Sequence, residues 1–167
     1  MFTLSAFADE IDPDPIKQID ILKTCGVRHI EFRSIYTTNV LALTDLMSTL
    51  RKSFGAEVIG AVHDPANYVF CGYDPWQGWL ASKPWLVHFH IKDWIAKAEH
   101  GSLAGEGQGR IPGVIADAVK MSYTGFATME PHLLGGGPTG GVTGPELFPK
   151  AVAAFKAILD KAGAKYQ

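Results

Sequence analysis

At 167 residues, with 47% hydrophobic and 19% charged side chains, the chain is long enough to bury one core and lies far from the disordered class. A net charge of −2 with no Lys/Arg cluster excludes a broad nucleic-acid face. Two cysteines do not make a disulfide framework, and no leader or apolar run of about 18 residues is present, so a cytoplasmic protein with no membrane partner is expected.

In chain order, Phe2 to Phe7 reads as a first strand released at Ala8-Asp9-Glu10, and Asp12-Pro13-Asp14-Pro15 supplies helix-start chemistry. Ile16, Ile19, Leu22 and Cys25 recur at helical spacing, which predicts Cys25 on a buried face, and Gly26 closes the helix. A second strand from Val27 to Arg33 alternates, with Ile30 and Phe32 on one side and Glu31 and Arg33 on the other. Residues 42–54 read as a helix through Leu43, Leu46, Met47 and Leu50. A third strand over 57–63 ends at His63-Asp64. The aromatic stretch Tyr68 to Trp79 reads as a loop with a short helix.

The stretch Val87-His88-Phe89-His90-Ile91-Lys92-Asp93-Trp94 alternates apolar and polar as a half-buried strand does, and presents His90 and Asp93 where the strand runs out. A glycine-rich connection to Gly109, a helix over 112–121 and a strand over 124–130 follow, the strand ending at Glu130-Pro131-His132. Both glycine-rich loops, Gly101 to Gly109 and Gly135 to Gly144, fit neither phosphate-loop nor dinucleotide spacing and are read as mobile loops over a site. A helix from Pro145 to Lys161 completes the chain. Strands alternating with helices predict an α/β fold of about five parallel β/α units, where a closed barrel needs about eight.

Three strand ends thus carry Asp64, His90 and Glu130, a mixed carboxylate and imidazole set of the kind that holds a divalent metal ion. On ligand type, Mn²⁺, Mg²⁺, Co²⁺ and Zn²⁺ suit it about equally. His88 shares a face with His90 and reads as a substrate contact or a core histidine ahead of a second ligand, whereas His63 reads as structural. Of Trp76, Trp79, Trp85 and Trp94, most are assigned to core packing.

These motifs resemble the sugar phosphate isomerase/epimerase group of the xylose isomerase-like TIM-barrel superfamily, which also contains endonuclease IV-type enzymes. The carrying residues are Phe7 to Ile11, Ile30 to Ser34, His63 to Tyr68, His88 to Asp93, Gly105-Glu106-Gly107 and Met129 to His132, in the family's order. The resemblance implies one partial, TIM-barrel-like domain over 1–167, shortened near 47–56 by the loss of strands three to five. It implies that Asp64, His90 and Glu130 are three of the usual four metal ligands, and that the fourth, a strand-five glutamate, is missing. Glu130 then remains as the catalytic proton carrier, with His132, Arg33, Glu31, His88 and Asp93 on the substrate side. The implied activity is metal-dependent isomerisation or epimerisation of a sugar or sugar phosphate. The alternative is a catalytically impaired, shortened relative acting as a metal- or sugar-binding oligomer, or an inactive deletion product. An opened barrel exposes strand edges and predicts a homo-oligomer such as a dimer. Endonuclease-type cleavage wants more histidine ligands and a basic face than this chain offers.

Overall fold

A computed structural model describes residues 60–137 and 141–166, Asp12, the helix and turn at 14–26, and the backbone of short strands at 5–7, 29–31, 34–35 and 38–39. The helix expected over 42–54, the first part of the strand expected over 57–63, and Arg33 lie outside the described residues. The chain divides into two units, Met1–Gly60 and Ala61–Gln167.

In the first unit, strand β1 (Ser5–Phe7) leads through helix α1 (Pro15–Thr24) to strand β2 (His29–Glu31), which pairs with β1 in parallel. The helix starts as its sequence predicts. Asp14 Oδ1 accepts from the Ile16 amide at 2.9 Å, and Gly26 ends the following turn at φ +71°. Cys25 is exposed, not buried, because the last helical residue is Thr24 and the cysteine sits in the turn beyond it. Strands β3 (Ser34–Ile35) and β4 (Thr38–Asn39) form an antiparallel pair that periodicity did not predict, each being too short to show one.

The second unit carries strand β5 (Ala61–His63), helices α2 (Pro65–Phe70) and α3 (Pro75–Ser82), a 3₁₀ turn (Lys83–Trp85), strand β6 (Leu86–Ile91), helix α4 (Ile111–Lys120), strand β7 (Phe126–Met129) and helix α5 (Gly144–Ala162). The stretch expected to be mostly loop holds two helices instead. Each begins with an Asp-Pro pair: the aspartate accepts from the first turn, and the proline occupies a position whose missing N–H costs nothing.

The strands form a small open parallel sheet in the order β5-β6-β7. The architecture is therefore mixed α/β, and the strands expected in one sheet divide between this sheet and the separate β1–β2 pair. One face of β6 sends Phe89 and Ile91 into a core with Trp79, Ile111, Val114, Ile115, Ala118 and Phe155. Trp79 Nε1 donates to Asp117 Oδ2 at 2.8 Å, so the indole is buried with its polar atom satisfied. Trp94 packs separately with Ala66 and Val69.

The other sheet face is set by register. Val62, His88 and Phe126 lie side by side, as do His90 and Thr128. Among the described residues no helix is long and apolar enough to cross a membrane.

Candidate metal centre

Asp64 follows β5 directly and caps α2, which divides the work of its carboxylate. Oδ1 accepts from the Asn67 amide at 3.1 Å, while Oδ2 is left facing the strand ends. His90 stands near the end of β6 on the face opposite Phe89, with its side chain 34% exposed. Glu130 follows β7 directly, and its amide donates to the Ile91 carbonyl at 3.2 Å, which extends the strand pairing by one residue. Three adjacent parallel strands thus deliver three side chains to one place.

One ligand atom from each of Asp64, His90 and Glu130 lies within 4.8 Å of the others. Metal–ligand distances of about 2.0–2.2 Å require ligand atoms no more than about 4.4 Å apart, so the set has to close by only a few tenths of an ångström. Asp64 Oδ2 and Glu130 Oε2 are both buried without a directed hydrogen bond, although charged groups stand close to each. Carboxylate oxygens held this way, beside an imidazole, fit a divalent cation.

Lys92 belongs to the same cluster and was not singled out from the sequence. Its side chain is only 1% exposed, and Nζ lies 3.0 Å from Asp64 Oδ2 and 3.2 Å from Glu130 Oε1. The alternation that carries His88 and His90 runs on to Lys92, and extending the period by two residues would have found it.

The electrostatics follow from these contacts. His90 Nδ1 sits 3.7 Å from Asp64 Oδ2 and 2.9 Å from Glu130 Oε2. The Asp64 and Glu130 carboxylates raise the His90 imidazole to about 9, against the opposing effect of burial. Burial pushes the Glu130 carboxyl up, but His90 and Lys92 outweigh it and hold the group down at about 2. The centre thus brings the Asp64 and Glu130 carboxyl groups, the His90 imidazole and the Lys92 side-chain nitrogen into mutual contact.

The substrate-side residues divide. His132 joins the centre, with Nε2 3.2 Å from Glu130 Oε1 and Nδ1 donating to the Gly137 carbonyl at 3.1 Å. It is placed by a left-handed backbone (φ +50°), by the Gly101 amide on its carbonyl at 2.8 Å, and by Gly141, where a Cβ would collide with the His132 side chain. His88 lies beside the ligand set, its ring 5.4 Å from that of His90 and its Nε2 2.8 Å from Thr128 Oγ1.

Asp93 does not face the site. Alternation turns it away from Lys92, it is 1% exposed, and its carboxylate accepts from the amides of Trp94, Gly105, Gly107 and Gly109. The glycine loop is correspondingly anchored and not a free lid: a Cβ on Gly107 would collide with the Asp93 carboxylate. Glu31 is placed on β2 in the first unit by its backbone alone, and Arg33 is not described. His63 is buried among Tyr68, Trp79 and Phe89, as its structural reading expected.

No protein-family model matches this chain, and no curated protein matches its sequence.

Proposed function

We propose that this protein is a divalent-metal-binding, sugar isomerase- or epimerase-like protein in which proton transfer beside a carbonyl is slow. The observation that carries the reading is the convergence of Asp64, His90 and Glu130 from three neighbouring parallel strand ends, the place where α/β folds do their chemistry. We further infer that the open sheet is the remaining part of a (β/α) barrel, since its spatial order β5-β6-β7 follows the chain as barrel strands do.

A bound divalent ion would act as a Lewis acid on adjacent substrate oxygens. Glu130 is the group next to it that can take a proton, and His132 fixes the orientation of its Oε1. Acid/base work of this kind uses a positioned pair of groups, and the resemblance leaves Glu130 without the strand-five glutamate as its partner. The lost partner is the reason to expect turnover to be weak even where a cation binds.

A cavity of about 600 Å³ opens beside the centre, lined by Glu130, His132, Met129, Val142, Thr143 and Phe148 among others.

The test is metal content after Mn²⁺ loading and dialysis. Retention of about one ion per chain, abolished in Asp64→Ala/His90→Ala, is the expected result for a site whose ligands fold into place. Retention equal in wild type and the double variant would sink the reading. Loaded protein should then exchange solvent deuterium into the carbon beside the carbonyl of a sugar in a ketose/aldose panel, followed by NMR. Failure across the panel would reduce the function to binding.

A further inference from the structure

We propose that Lys92 is the resident counter-cation of the Asp64–His90–Glu130 centre, a positioning residue that keeps the two carboxylates converged without metal and thereby weakens divalent-cation binding. The inference rests on the metal-site reading and adds to it a residue that sets the strength of the site.

Lys92 is the only lysine among the described residues that ion-pairs with both carboxylates of the ligand set, at 3.0 and 3.2 Å. It follows His90 by two residues on one strand, so the backbone that places the imidazole also places the ammonium. With 1% of its side chain exposed, the ammonium has no water to retreat into. A buried charge without partners is strongly disfavoured, and Asp64 and Glu130 supply the partners.

The same placement has a second effect. An incoming cation would share Asp64 Oδ2 with the ammonium and would feel an unscreened like charge a few ångströms away. The Coulomb interaction grows as the effective dielectric falls, and burial lowers it here. The nearly converged ligand set, close to metal-binding distances before any ion arrives, is what the ammonium provides in exchange.

The experiment compares Mn²⁺ affinity by isothermal titration in the full chain, in Lys92→Met, in Lys92→Gln and in the Asp64→Ala/His90→Ala control, with melting curves for each with and without Mn²⁺. Expected are Kd values for both Lys92 variants lower by at least about tenfold, as removal of a nearby like charge implies. Each variant should also melt below wild type without metal and gain more from Mn²⁺ than wild type does. Folded Lys92 variants that bind Mn²⁺ no more tightly than wild type would overturn the proposal while leaving the metal site standing. Variants that stay unfolded even with Mn²⁺ would overturn it too, since the ion should replace the missing charge. Binding that is the same in wild type and in the double control would remove the metal reading and this inference together.

Discussion

His63 and His90 stand on neighbouring strands of one sheet and carry their protons oppositely. Burial among aromatic rings lowers His63 to about 4, while flanking carboxylates raise His90 to about 9. The signs give two separate pH windows. His63 is depressed below its ordinary 6.5, so its contribution is complete above that value and is lost as pH falls through 4. A shift of that size is worth about 3 kcal/mol. His90 is raised, so its contribution is complete below 6.5 and is lost as pH rises through 9. Glu130, depressed from 4.5 to about 2, reinforces the loss on the acid side. The metal-free protein should therefore be most stable near pH 6.5, and urea denaturation between pH 4 and 9 should trace a dome. His63→Phe should flatten its acid limb. A stability that climbs or falls steadily across the whole range would contradict both assignments.

At the scale of elements, the loop 105–109 is held by one side chain. Asp93 accepts four amide hydrogen bonds at 2.7 to 3.0 Å, from its neighbour Trp94 and from three glycines, of which Gly107 and Gly109 leave room for the carboxylate by lacking a side chain. Asparagine at this position would keep one acceptor oxygen and turn an NH₂ group toward two of the donors. Asp93→Asn should cost about 3 kcal/mol, judged by hydrogen bonds to charged acceptors. It should also raise hydrogen exchange at the amides of Gly105, Gly107 and Gly109 without changing that in α5. Unchanged protection in the loop would show that its anchoring lies elsewhere. The glycines alone suggested a mobile loop, because a sequence does not reveal that a buried carboxylate sits under them.

At the scale of the whole molecule, the sheet that carries the centre has two edge strands, β5 and β7, among the described residues. Its His88-bearing face includes a Phe126 that is 78% exposed, with Val62 in register beyond His88. Exposed strand edges beside apolar surface favour association. The full chain should elute as a dimer or larger species in size-exclusion chromatography with light scattering, and Phe126→Ser should shift it toward monomer. A clean monomer at high micromolar concentration would refute the expected self-association.

The sequence by itself determined the local elements and the residue types gathered at the candidate site. Alternation placed β6 and its polar face, Asp-Pro and glycine marked helix ends, and apolar strand runs ending in Asp64, His90 and Glu130 located the centre, because each of these signals acts over a few residues. Tertiary structure decided which elements share a sheet and which charged groups meet. Whether Lys92 reaches two carboxylates from other strands depends on strand register and burial, contacts between residues distant in the chain that no local period encodes. The fate of Asp93 turned on the same physics. One residue from Lys92 on a strand means the opposite face, and there the glycine loop, not a substrate, meets its charge.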